Sequence, residues 1–169
     1  MSEVISIRFN NNEKEYGEVI RIHLLKSLRT KIDIIIAIIL ILSGFIFLNY
    51  YGYSAIWALM IGAGTLFLFI MLYALYILPP KRFRQEPKFK DEYILDFSED
   101  GLIFKTEQLN SKLDWSYYNK VWESDKFYLL FYGKGLYTFI PKRAFVSEAQ
   151  QDQFRKLLNT KIVSGMVRI

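Results

Sequence analysis

Lys142 and Arg143 stand side by side between Pro141, which closes an alternating apolar run, and Ala144-Phe145, which turns the chain back toward a core. A fixed pair of cations at such a corner can meet an anionic lipid headgroup or an acidic partner. The plainer reading is a solvated turn whose charges aid solubility. Other chemistry is thinly supplied. His23 is the single histidine, and it has no Asp or Ser in evident partnership. Cysteine is absent, which removes disulfides and thiolate-held metals, and no zinc site can be assembled around one imidazole. The carboxylates are scattered, and no Gly-rich phosphate loop occurs. The expectation is a chain that is not an enzyme, with no catalytic residue, no cofactor and no metal. Trp115 and Trp122 bracket a turn rich in Tyr117 and Tyr118, and aromatics at that density more often fill a small core than bind a ligand.

The elements that position these residues begin with a gap in the charge. No charged residue and no histidine lies between Asp33 and Lys81, a stretch of 47 residues. One membrane span takes about 20 apolar residues, so Ile34–Tyr50 and Ser54–Leu78 supply two, hinged at Tyr51-Gly52-Tyr53. A soluble helix of this length would show a polar face, and neither segment has one. No acid, Lys, Arg or His interrupts the spans, so an ion or proton path through them is not expected. The net charge is +5, and its location matters more than its size. Residues 1–31 hold six Lys/Arg against four Asp/Glu, residues 81–90 hold five against one, and residues 91–169 hold eleven of each. The excess sits beside the spans, where Arg29, Lys31, Lys81, Arg82 and Arg84 read as juxtamembrane anchors. Both termini are then cytoplasmic, with only the aromatic turn reaching the far side of a cell membrane. A nucleic-acid domain would carry a basic stripe of its own, and this one carries none. A cleavable signal peptide is not expected, because about thirty mixed residues precede the first apolar run.

Outside the spans, Ile5, Ile7 and Phe9 alternate with Ser6 and Arg8, which predicts a short half-buried strand. Asn12 with Glu15 predicts a helix start. Tyr16, Ile20, Leu24 and Leu28 then give that helix an apolar stripe running straight into the first span, to be covered by the lipid interface, the favoured reading, or by the cytosolic domain. Within the hairpin, Ser43-Gly44 and Gly62 lie at similar depth, and Ala58 with Gly62 forms a small-xxx-small pair suited to close helix approach. Leu78-Pro79-Pro80 is expected to stop the second span. Six strands follow, over 93–97, 102–106, 111–115, 120–123, 127–132 and 136–140. Turns are expected at Ser98-Glu99-Asp100-Gly101, Ser124-Asp125-Lys126 and Gly133-Lys134-Gly135. Ser147 with Gln150 opens a final helix, with Phe154, Leu157 and Leu158 as its buried stripe and Ser164-Gly165 at its end.

This order of elements resembles the YcxB-like family of bacterial membrane proteins. The resemblance rests on Tyr93-Ile94-Leu95 with Glu99-Asp100-Gly101, on Leu113-Asp114-Trp115 followed by Tyr118-Asn119-Lys120-Val121-Trp122-Glu123, and on Ile140-Pro141-Lys142-Arg143-Ala144-Phe145. It implies an N-terminal strand and helix, two spans, and a domain like the pleckstrin-homology superfold, with no activity attached. Phosphoinositide binding of the eukaryotic pleckstrin type relies on basic residues in the first hairpin loop. Read as that loop, Ser98-Glu99-Asp100-Gly101 would repel phosphate.

The expected architecture is an α+β membrane protein. It consists of a strand and amphipathic juxtamembrane helix (1–31), a transmembrane helical hairpin (32–80, with spans 32–51 and 54–78), a basic linker (81–90) and a cytosolic domain (91–169). That domain is expected to be a small antiparallel β-barrel or sandwich, pleckstrin-homology-like and capped by a C-terminal helix. Its six strands are one short of that superfold, so residues 4–9 are expected to cross back and pair with it. Two functions fit. One is a non-catalytic, membrane-anchored interaction or regulatory module presenting the domain at the cytoplasmic face. The other is an accessory subunit of a membrane export, stress or self-immunity system acting through the hairpin. The expected partners are the lipid bilayer and an unidentified protein, with a homo-oligomer also open.

Overall fold

The structure is a computed structural model that describes residues 4–107, 109–133, 135–162 and 165–169, with the backbone only for Lys88. The chain divides into two compact units, one formed by the residues up to Asn11 together with Lys90–Ile169, the other by Asn12–Phe89.

The first unit starts with β1 (Ile5–Asn10), whose alternation buries Ile5, Ile7 and Phe9 on one side. It pairs antiparallel with β2 (Glu92–Ser98), Ile7 opposite Leu95 and Asn10 opposite Glu92. The expected return of the N-terminal strand is therefore present. Its partner is β2, the first strand after the helical unit. β3 (Gly101–Lys105) and β4 (Asn110–Leu113) complete a four-stranded antiparallel sheet in the order β1-β2-β3-β4. The Ser98–Gly101 loop thus closes the second hairpin of this sheet. The first hairpin, β1–β2, is closed by the whole of residues 11–91, so the helical unit is an insertion in it.

A 3-10 turn at Trp115–Tyr117 leads into β5 (Lys120–Glu123), β6 (Phe127–Gly133) and β7 (Leu136–Pro141). α5 (Glu148–Lys161) follows, and its stripe buries Phe154 and Leu158. Ser147 Oγ accepts from the Gln150 N–H, as the capping residues predict. Two expectations need correcting here. The strands form no closed barrel among the described residues: β4 and β5 are separated by the 3-10 turn and belong to different sheets. Nor is the second sheet purely antiparallel. After α5 the chain returns as β8 (Met166–Arg168), parallel to β5, giving the order β7-β6-β5-β8. A parallel partner needs a long crossover, and the stretch from β6 through α5 supplies it. Both sheets and α5 share one core, in which Phe154 packs on Phe97 at 4.5 Å, Phe145 at 5.1 Å and Tyr128 at 5.3 Å between ring centroids. The expected turn residue Lys134 and helix-end residue Ser164 lie outside the described residues. α5 is capped by Ile162 instead.

The second unit is helical. α1 (Glu13–Lys26) is capped by Asn12, whose side chain accepts from the Lys14 N–H at 2.8 Å. It does not run on into the first span. Ser27 sits in an extended conformation and acts as the N-cap position of α2 (Leu28–Tyr51), which leaves Leu28 72% exposed and off the stripe. α2 ends at Gly52, whose φ of 76° favours glycine. α3 (Ala55–Leu72) then passes through a π-helical turn at Tyr73–Ile77 into α4 (Leu78–Gln85). Pro79 and Pro80 therefore do not stop the helix. The Leu78 N–H reaches back to the Tyr73 carbonyl, and this widened turn lies just where a proline ring would otherwise strike a carbonyl of the preceding turn. At the first positions of α4 the missing proline N–H groups leave little unsatisfied.

Leu28–Tyr51 and Ala55–Gln85, 24 and 31 residues, are long and apolar enough to cross a membrane, each holding an 18-residue stretch of mean hydropathy 2.6 and 2.3 respectively. Most of their apolar side chains face outward. The two helices meet through Gly44 and Gly64. A Cβ at Gly44 would lie 3.1 Å from the Trp57 carbonyl oxygen, and one at Gly64 would lie 2.8 Å from that of Ala37. Gly62, expected at this seam, faces open space. Two residues turn a helix by about 200°, so a glycine at the right depth can still point away. Tyr16, which opens the α1 stripe, packs on protein, against Phe83 and Phe89 at 5.6 and 4.6 Å, while Ile20 and Leu24 are half-buried, and Arg84 makes a two-pronged bond to Glu13 at 2.8 and 3.0 Å. These contacts hold the two ends of the helical unit together.

Candidate functional site

The corner expected at Lys142 and Arg143 forms where β7 passes into a 3-10 turn, Lys142–Ala144. Its two cations point to different tasks. Lys142 Nζ lies 2.8 Å from Glu123 Oε1 and 5.0 Å from the Tyr128 ring centroid, and its side chain is only 16% exposed. Arg143 is exposed, and its guanidinium donates to the Asn10 carbonyl at 2.8 Å. Gln150 Nε2 donates in turn to the Ser6 carbonyl. Arg143 and Gln150 thereby satisfy two carbonyls of β1, an edge strand of its sheet, and limit its appeal to a foreign strand.

Glu123 is the centre of the corner. It follows Val121 on the inward-facing side of β5 and is 7% exposed. Its Oε1 accepts from Lys142 and from Arg155 of α5, both at 2.8 Å, while Arg155 also bonds Asp152. Burial pushes the Glu123 carboxyl up, but the hydrogen bonds from Arg155 and Lys142 outweigh it and hold the group below its ordinary value. The Tyr128 hydroxyl accepts from Gln151 Nε2 at 3.1 Å, and burial raises this phenol above its usual range. Sequence reasoning missed Glu123 and Arg155. The available signal was parity, since a carboxylate at the same register as Val121 faces the core and must find cations there.

The remaining sequence-predicted residues are spread through the helical unit. Arg29 and Lys31 sit exposed on the first turn of α2, and Lys81, Arg82 and Arg84 lie on α4, with Arg84 engaged by Glu13. The structure brings none of these onto the Glu123 cluster's own unit. His23 lies on α1, where burial holds its imidazole below the ordinary value and so neutral at physiological pH. Trp115 is a core residue whose Nε1 donates to the Ser98 carbonyl at 2.8 Å, and Trp122 packs edge-on to Phe131 with Lys120 over its ring. Tyr118 is buried against Thr138, with its phenol pushed up to about 12, so it stays protonated. Among the described residues no group of three His, Cys, Asp or Glu is placed to hold a metal ion. The Glu123 carboxylate, held by Lys142 and Arg155, braces β5, the turn after β7 and α5 against one another.

Comparison with curated proteins and with solved structures finds no match. Residues 97–158, which run from the end of β2 to α5 and include Glu123, Lys142 and Arg155, match the YcxB-like protein family, which upholds the family named from the sequence over those residues.

Proposed function

We propose that the chain is a two-span membrane protein that presents a non-catalytic, pleckstrin-homology-like docking domain at the cytoplasmic face. The observation that carries this reading is the insertion of the helical unit into the β1–β2 hairpin. The chain passes between the units twice, and both passages leave the sheet beside the Asn10–Glu92 pair. The domain is thus tethered to the helical unit by two chain passages rather than one, and the strand before the first passage contributes Ile5, Ile7 and Phe9 to its core. That suits presentation of a surface more than release of a mobile head.

Three further points support the reading. The outward apolar side chains of α2 and α3 form a surface far larger than water tolerates, whereas a bilayer favours it. Basic residues flank the hairpin on both sides and the aromatic turn carries no charge, which favours cytoplasmic termini. A four-stranded sheet, a three-stranded meander and a closing helix occur in the pleckstrin-homology order, with β8 as an addition. In that frame the loop that would bind phosphoinositide is the one the helical unit replaces. The domain's surface is then left for a protein partner, and Arg143 is the exposed cation at its basic corner.

The test exchanges residues 32–80 for an unrelated two-span hairpin of equal length and compares it with removal of residues 91–169. Proteins crosslinked to the native chain in membranes should remain crosslinked after the exchange and disappear after the removal. The opposite pattern would place activity in the hairpin and favour an accessory subunit of a membrane system.

A further inference from the structure

Two shallow hollows on the second helix run into one another. The first, about 600 Å³, is walled by Phe69, Tyr73, Tyr76 and Ile77, and is almost wholly apolar. The second, about 490 Å³, shares Tyr76 and Ile77 and continues past Pro80 to Lys81 and Arg84. The π-helical turn at Tyr73–Ile77 lies where they join, and such widened turns recur at functional positions in helices. The walls are open: Phe69 is 65% exposed, Tyr76 56% and Ile77 55%.

One end of this groove is thus apolar over roughly two helical turns and the other is basic. Lys81 has no ion-pair partner among the described residues, whereas Arg84 is held by Glu13. Arg21 lines neither hollow, but its guanidinium lies 5.5 Å from the centroid of the Tyr76 ring and adds positive charge beside that wall. An occupant must therefore carry a long apolar chain and an anionic head, in that order along the helix. On the membrane reading proposed above, on which this inference rests, the groove runs along the lipid-facing side and its basic end falls at the cytoplasmic interface, where anionic headgroups lie.

We infer that the groove from Phe69 to Lys81 is a binding seat for a single anionic phospholipid, with an acyl chain along Tyr73, Tyr76 and Ile77 and the phosphate at Lys81. The apolar contact holds the chain in place, and Lys81 selects the head. Boundary lipid drawn only by the juxtamembrane charge would, by contrast, respond to loss of Arg29 as much as of Lys81 and would not depend on Ile77.

The full chain in detergent is incubated with phosphatidylglycerol or phosphatidylcholine, and retained lipid is counted by native mass spectrometry. One phosphatidylglycerol per chain should be retained at least several-fold better than phosphatidylcholine. Lys81→Gln should remove most of that preference, Ile77→Trp should displace the lipid by filling the groove without changing charge, and Arg29→Gln, outside the groove, should leave it intact. Melting temperatures of the three variants should match the native chain. Equal retention of both lipids, or a preference that survives both Lys81→Gln and Ile77→Trp, would overturn the inference. Membrane fractionation separates this from the reading beneath it. A chain that resists carbonate extraction yet shows no preference refutes the seat alone, and a chain extracted as a peripheral protein refutes the membrane reading.

Discussion

Removing residues 1–10 should unfold a domain whose remaining sequence begins about eighty residues later. β1 places Ile5, Ile7 and Phe9 in the shared core, at 6%, 2% and 5% exposure. Burying a large apolar side chain contributes about 1.5–3 kcal/mol, so the loss is of the order of the 5–15 kcal/mol that a domain has in total. It would also bare the backbone of β2 along the whole of its register with β1. Residues 90–169 alone are therefore expected to aggregate. The complementary chain should behave oppositely. Joining Asn10 to Glu92 through a short Gly-Ser loop deletes the entire helical unit while keeping the last β1–β2 pair. That protein should be soluble without detergent and should melt cooperatively, as followed by circular dichroism. If residues 90–169 fold as well without β1 as with it, the strand is an ornament and the insertion carries no structural weight.

The second large effect is expected at Glu123. Glu123→Gln withdraws the negative charge from between Lys142 and Arg155 and leaves Lys142, the more buried of the two, beside a neutral amide. Breaking a buried pair from one side costs about 3–5 kcal/mol, and Arg155 at 36% exposure retains enough water to lower this to about 2 kcal/mol. In a domain of this size that is roughly 8–16 °C in melting temperature. pH provides a second handle. The folded carboxyl is held below its unfolded value, near 4.5, so its contribution is complete above that value and fades as pH falls through the lower folded one. The gap between native and Glu123→Gln domains should accordingly be wide at pH 7 and should narrow steadily below about pH 4.5. Urea titrations of the joined domain at pH 7 and pH 3 measure it. A gap independent of pH would mean the carboxylate is not engaged by the two cations. Lys142→Ala should also destabilise the domain, which a solvated lysine would not do.

Much of this fold is written plainly in the chain. The charge-free run from Ile34 to Pro80 marks the hairpin because neither helix needs a polar face. The strands are legible because Ile5-Ile7-Phe9 and Val121 with Glu123 alternate with the outward residues. What stayed hidden depends on direction or on distant chemistry. Gly62 and Gly64 lie at nearly the same depth, and only the packed helix shows that Gly64 is the one on the seam. Pro79-Pro80 ordinarily ends a helix, and the π turn that rescues it has no signature in residue type. β8 is too short to alternate visibly, and its partner β5 is more than forty residues away. Lys142 read as a surface cation because its turn is at the surface. Its charge is answered by Glu123 and shares that carboxylate with Arg155, from an element sequence spacing does not connect.

The central claim, a two-span hairpin inserted in a cytoplasmic sheet domain, meets its most direct test in cysteine accessibility, since the native chain has no cysteine. Tyr53 is 84% exposed at the turn between the helices, and Ser116 is exposed in the sheet domain, so Tyr53→Cys and Ser116→Cys leave the packing alone. In intact cells a membrane-impermeant maleimide should label Tyr53→Cys, and it should label Ser116→Cys only after lysis. Labelling of Ser116→Cys in intact cells, with Tyr53→Cys protected until lysis, would reverse the topology and contradict the account.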